Sequence, residues 1–213
     1  MPLPVDPETF RESAQHYAVF DQTVGNNPFN FFDPKIGFQV RAGYSNRGFS
    51  ARILALQGHD KQSGIPLLGT DTMEYGQEAI GSLTFAAYRY DGTRPDHGFA
   101  DRFWRQGYGM TYAAGRWASD IVLQKGHDTS FDGAVTSVAS NGGFTQLRYE
   151  LNLRLFGLMR YEGTDDPTNG LARDLVTLLG YRVSRNSRLT VEDVIQHIPQ
   201  TKNTLNMQYT VGY

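Results

Sequence analysis

Hydrophobic and polar residues alternate along most of this chain, and most cleanly at its end. Leu205, Met207, Tyr209, Val211 and Tyr213 take every second position, with Asn206, Gln208, Thr210 and Gly212 between them. A period of two sends the first set to one face of a strand and the second to the other. One greasy face, one small polar face and a terminal aromatic anchor suit the closing strand of a transmembrane β-barrel. A buried sandwich strand would show the same alternation, so the rest of the chain has to decide.

The pattern recurs upstream. Ile36, Phe38, Val40, Ala42 and Tyr44 oppose Gly37, Gln39, Arg41 and Gly43. After the turn Ser45–Gly48, Phe49, Ala51, Ile53 and Ala55 oppose Ser50, Arg52, Leu54 and Leu56. Trp104, Tyr108, Met110 and Tyr112 oppose Arg105, Gly107, Gly109 and Thr111. Past Gly115-Arg116, Trp117, Ser119, Ile121 and Leu123 oppose Asp120 and Gln124. Thr145, Leu147, Tyr149 and Leu151 oppose Phe144, Gln146, Arg148 and Glu150, and Leu155, Gly157, Met159 and Tyr161 oppose Arg154, Phe156, Leu158 and Arg160. Leu175–Val183 leads through the turn Ser184–Ser187 to Leu189 and Val191, which oppose Arg188, Thr190 and Glu192. Leu83–Tyr90 reads as a strand of undecided facing, because both its faces are apolar, and Asp71–Ala79 is a weaker strand.

Connections alternate between short (near 45–48, 80–82, 114–116, 151–154 and 184–187) and long and polar (near 58–70, 91–101, 126–141, 162–171 and 196–203). Tight periplasmic turns and longer outer loops are what an antiparallel outer-membrane barrel shows. The count from residue 36 onward is about eleven strands, where bacterial barrels have even numbers. A partner strand could come from Glu12–Gln22. Asp6 as a cap with Pro7 behind it equally suits a short helix to about Tyr17. Gly25–Pro34 reads as an irregular loop. The expected fold is therefore all-β, an antiparallel up-and-down barrel or partial barrel of about 10–12 strands. It would occupy residues 36–213, with residues 1–35 as a loop or short-helix segment.

Composition agrees with this picture. The chain has 213 residues and no cysteine, and 20 Lys+Arg against 22 Asp+Glu leave no nucleic-acid footprint in the total. It is hydrophilic on average, with a mean hydropathy of −0.45, yet 13% aromatic with 23 glycines. Half-apolar strands with aromatic girdles produce that mixture. No stretch approaches the roughly 18 apolar residues of a membrane-crossing helix. Met1–Asp6 has neither the basic nor the apolar region of a signal peptide.

The segments GGFTQLRYELNLRLFGLMRYEGTDD, LVTLLGYRVSRNSRLTVEDV and NTLNMQYTVGY resemble the last hairpins of Gram-negative outer-membrane porin-type β-barrels. NPFNFFDPKIGFQVRAGY with GFSARILALQGHD resembles an outer loop followed by a descending and an ascending strand. The resemblance covers residues 25–213 and implies an outer-membrane location, a bilayer as partner and a channel for small polar solutes. It also implies recognition of the C-terminal strand, through Tyr209 and Tyr213, by the barrel-assembly machinery, and it admits a homotrimer. The odd strand count and the N-terminus create the expectation that the chain corresponds to the C-terminal part of a larger porin.

The polar phase carries Arg41, Arg52, Arg105, Arg148, Arg154, Arg160, Arg182 and Arg188, with Asp120, Glu150 and Glu192 among them. Lining a lumen, such a wall would favour anionic solutes; alternatively, Arg and Glu pair across strands and merely solvate the interior. Trp104 and Trp117, read as flanking one tight turn, would join Tyr209 and Tyr213 as membrane-interface anchors. Gly58–Lys61 and Gly126–Thr129 begin loops alike. With Asp132, Asp165, Asp166 and Asn169 they offer Ca²⁺ oxygen ligands, but solvated acidic loops are the plainer reading, and no metal or cofactor is expected. His16, His59, His97, His127 and His197 stand at no recognisable spacing to a serine or carboxylate, and no phosphate loop or zinc motif occurs. The expectation is a channel, not an enzyme. The alternatives are a closed barrel serving as sheath or docking surface for another protein, an outer-membrane hydrolase with a Ser/His pair on its outer face, and a soluble sandwich.

Overall fold

In a computed structural model of the chain, residues 21–24, 27–30, 37–43, 48–58, 67–96, 99–129, 137–166, 170–198 and 200–211 are described. The helix start at Asp6 and the terminal Tyr213 lie outside them. A small hairpin joins β1 (Asp21–Val24) to β2 (Asn27–Asn30) where the sequence suggested an irregular loop. Pro28 lies within β2, opposite Thr23; its missing N–H is tolerable because this two-stranded ladder is all edge.

The main sheet contains β3 (Gly37–Gly43), β4 (Gly48–Gly58), β5 (Leu67–Ile80), β6 (Leu83–Asp96), β7 (Phe99–Ala114) and β8 (Trp117–Asp128). It continues through β9 (Val138–Glu150), β10 (Leu155–Asp166), β11 (Gly170–Ser184), β12 (Ser187–Ile198) and β13 (Gln200–Val211). Each strand pairs antiparallel with its sequence neighbours, giving an up-and-down meander of 11 strands whose two edges are β3 and β13. The sheet is not closed by pairing between those edges. Two-residue turns at Gly81-Ser82 and Gly115-Arg116 join paired strand ends, with φ of 61° and 60° at the glycines. Those angles are what a tight hairpin with right-handed strand twist demands at its first turn position.

The facing of the strands decides the class of protein. Ile53, Leu147, Leu179 and Tyr209 are 61, 38, 53 and 59% exposed, whereas Arg105, Arg148 and Arg160 are 1, 7 and 0% exposed. The greasy phase points away from the sheet's covered side, and the arginines point into it. A soluble sandwich would do the reverse. Near the tight-turn end the outer face carries Tyr112, Trp117, Tyr149, Tyr181 and Tyr209, with the Trp117 and Tyr149 rings 4.2 Å apart. Such a belt marks where a barrel meets one membrane interface.

Two expectations need correcting. The polar stretches near 91–101, 162–171 and 196–203 are not long loops; β6 and β7, β10 and β11, and β12 and β13 run through most of them as paired strands. Polarity there marks where strands leave hydrocarbon, not where they end, since a ladder's own hydrogen bonds persist in water. The inner face, in turn, is not polar throughout. Leu54, Leu56, Met73, Tyr88, Tyr90, Phe103, Val122 and Phe144 form a buried apolar cluster upon it. Leu83–Tyr90, ambiguous by pattern, sends Ala86, Tyr88 and Tyr90 inward and Phe85 outward.

Glycines seat the inner aromatics. Tyr88 is the register partner of Gly107, and Phe156 of Gly180. A Cβ at Gly107 would stand 2.3 Å from the Tyr88 ring, and one at Gly180 would stand 2.1 Å from the Phe156 ring. Each ring therefore lies flat over a neighbouring strand that only glycine leaves open. From there the Tyr88 hydroxyl reaches across β7 to donate to Gln124 Oε1.

Candidate functional site: the inner wall and its charges

The inner wall is built by phase. On β4, β9, β11 and β12 the inward positions bring Arg52, Arg148, Glu150, Arg182 and Arg188 to the tight-turn end of the sheet. Glu150 Oε1 takes bonds from Arg148 Nη2 and Arg182 Nη2, each at 2.8 Å, and Glu150 Oε2 takes one from Arg182 Nη1 at 3.2 Å. Both guanidinium groups also lie over Phe156, at 5.3 and 5.2 Å from its centroid. One carboxylate and one ring thus hold two arginines parallel to the wall.

Two pairings run against local electrostatics. Arg41 stands directly opposite Arg52, and Arg182 directly opposite Arg188. Like charges facing across strands destabilise a sheet, so these rows are not what strand pairing alone would select. Among the described inner-face charges that keep solvent exposure, Arg41, Arg52, Arg182, Arg188 and Lys202 face a single acid, Glu150. The accessible wall is positive.

Farther from the tight turns the charges are paired and dry. Arg105 Nη2 lies 3.0 Å from Asp128 Oδ2, and Arg160 Nη2 lies 3.2 Å from Glu162 Oε1, all four side chains within 1% of full burial. Tyr90 donates to Asp71, Gln146 donates to Asp120 at 3.2 Å, and Asn206 donates to Glu192 at 3.4 Å. Asp71, Asp101, Glu162 and Asp174 on this wall are not among the candidates read from the sequence, and Asp128, expected in a loop as an oxygen ligand, stands on the wall at the end of β8. Their signal was present: Asp128 is in phase with Asp120 and Gln124, so the alternation of β8 runs on where a loop was expected to begin.

Other placements differ from the expectation. Arg154 lies in the bend before β10, fully exposed, and donates to the Tyr181 hydroxyl at 3.2 Å; the strand begins one residue later, so its phase never reached Arg154. Trp104 and Trp117 do not flank one turn. Trp104 pairs with Asp91 and His127 at the far end of β7, while Trp117 pairs with Ala114 at the near end. The two tryptophans mark opposite ends of the outer face. His127 and Ser137, thought to lack suitable spacing, come together, with Nε2 and Oγ 3.3 Å apart at the exposed end of β8 and β9. Among the described residues no acid accepts from the other nitrogen of His127.

No family model and no curated protein matches the chain by sequence. Among solved structures it is similar to an anion-selective porin from Comamonas acidovorans, at a TM-score of 0.64 and 14% identity. The match covers 91% of this chain and 58% of that porin, so the chain spans well under two thirds of the porin's length. It also matches OmpT, an outer membrane protein of Vibrio cholerae, at a TM-score of 0.49 and 11% identity over 82% of this chain and 60% of that one. The fold is that of an outer-membrane porin-type β-barrel. An outward apolar face on this fold is the surface such a barrel turns to the membrane.

Proposed function

We propose that the sheet forms wall around a water-filled passage in an outer membrane and admits small polar solutes, anionic ones preferentially. The observation that carries this reading is the accessible inner charge, four arginines and Lys202 against Glu150, including two Arg–Arg rows that strand pairing disfavours. A wall of one sign concentrates counter-ions along a narrow path. The chemistry needed is positional and electrostatic, with no reacting group.

Planar-bilayer recording under a salt gradient tests it. The expected result is conductance with a reversal potential on the anion side, shifted toward cations by Arg182→Glu with Arg188→Glu. An ohmic channel with no ion preference, unchanged by that pair, would contradict the anionic part. A second reading has its own observation: the buried apolar cluster over β4–β9 leaves that stretch of the inner face dry. Folded, inserted protein without conductance would favour this closed barrel, a sheath or docking surface.

A further inference from the structure

Among the described turns at the tight-turn end of the sheet, three have two residues and one has four, Leu151–Arg154 between β9 and β10. Its shape is fixed from three sides. Arg116 Nη1 donates to the Leu151 carbonyl and Arg182 Nη1 to the Leu153 carbonyl, each at 3.2 Å. Asn152 Oδ1 accepts from the backbone N–H of Arg154 and of Leu155 at 2.8 and 2.9 Å. What this bonded bend displays is apolar and basic: Leu151 is 44% exposed, Leu153 is 91% exposed, and Arg154 is fully exposed.

The bend continues the membrane-facing side. Leu151 follows Leu147 and Tyr149 in the outward phase of β9, and Leu155, which opens β10, pairs with Tyr181 of the aromatic belt. Arg154 Nη1 reaches the Tyr181 hydroxyl at 3.2 Å, so its guanidinium stands beside that belt. The turns at 81–82, 115–116, 151–154 and 185–186 hold Arg116, Arg154 and Arg185 and no acid. Among the described residues none of these three arginines meets a carboxylate. Glu150 is held on the inner wall by Arg148 and Arg182. Glu78 stands on the outer face of β5 between Phe49 and Phe85, four strands from β9. A leucine fixed in water gains nothing from its order, whereas at the edge of a bilayer it is buried. Cations just beyond an aromatic belt lie at the level of lipid phosphates.

We propose that this bend is a docking site for an anionic glycerophospholipid in the leaflet on the tight-turn side. Arg154 and Arg116 take the phosphate oxygens, the Tyr181 hydroxyl steadies the Arg154 side chain, and Leu151 and Leu153 enter the acyl boundary. The occupant is lipid because the apolar display runs on from the belt and the charge beside it has one sign, opposite to that of a phosphate diester. The bonds that fix the bend lower the ordering cost of the contact. The site rests on the membrane-barrel reading, not on passage of solutes.

Trp117 reports on the site: its ring lies 4.2 Å from that of Tyr149, and Trp104→Phe leaves it the sole tryptophan. Full-length Trp104→Phe protein is inserted in phosphatidylcholine vesicles that contain acyl-brominated phosphatidylglycerol or, at equal fraction, acyl-brominated phosphatidylcholine. Quenching is expected to show a preference for phosphatidylglycerol of about fivefold, what one cation gains at an anionic surface. Arg116→Gln with Arg154→Gln should abolish that preference, and Arg116→Lys with Arg154→Lys should keep it. Arg102→Gln with Arg173→Gln, toward the far ends of β7 and β11, should leave it unchanged. Equal quenching by the two lipids with the turns unsubstituted would overturn the proposal whatever the variants do, as would a preference indifferent to the Gln pair. Loss of the preference when phosphate replaces chloride at equal ionic strength would assign the arginines to the free anion instead. A fluorophore on Leu153→Cys that neither brominated lipid quenches would give the bend to a protein partner and overturn the lipid site. No quenching of Trp117 by either lipid would overturn the membrane reading, and the docking site with it.

Discussion

Replacing Asp128 with alanine is expected to destabilise the folded protein by about 3–5 kcal/mol, because it removes one partner of a buried ion pair. Arg105 is 1% exposed, lies over Phe103 at 5.5 Å and donates to the Trp104 carbonyl at 2.9 Å. Those contacts carry no charge, whereas the Asp128 carboxylate lies 3.0 Å from its Nη2. Removing both charges should be far milder: Arg105→Met with Asp128→Leu is expected near neutral, since apolar groups of similar volume often replace a buried pair without loss. Denaturant unfolding of the three proteins in lipid vesicles reads the difference. Equal loss in single and double variants would mean that shape, not charge, is held at this site.

The second large effect lies on the opposite face. Leu179→Arg puts a cation at an outward position that is 53% exposed between Thr177 and Tyr181 on β11. If hydrocarbon surrounds it, the cost is about 2–4 kcal/mol. Gln208→Arg, on the inward phase of β13, is expected to stay within about 0.5 kcal/mol. If water surrounded both, the two variants would unfold alike.

How much of this was legible follows from which force each residue obeys. The facing of β13, β8 and β10 was readable because hydrocarbon on one side and a polar interior on the other impose a strict period of two. That same period gave the inward phase of Arg52, Arg105, Arg148, Arg160, Arg182, Arg188, Glu150 and Glu192. It failed for β6, where Tyr88 and Tyr90 line an apolar inner cluster and both faces are greasy. It failed at strand ends for another reason: beyond the bilayer the outer face turns polar and alternation fades, though the backbone ladder continues. Asp128, His127 and Trp104 were misplaced by that fading. Arg154 was misplaced at the other end, where the bend at 151–154 interrupts the phase. The seating of Tyr88 on Gly107 and the Arg148–Glu150–Arg182 cluster depend on cross-strand register, which alternation within one strand does not encode.

The central claim is that the odd-numbered positions of β11 face hydrocarbon. Single cysteines at Val176, Thr177, Leu178 and Leu179, labelled with a small fluorophore in vesicles of acyl-brominated lipid, test it most directly. Strong quenching at 177 and 179 with weak quenching at 176 and 178 is the predicted outcome. The opposite alternation, or equal quenching at all four, would contradict it.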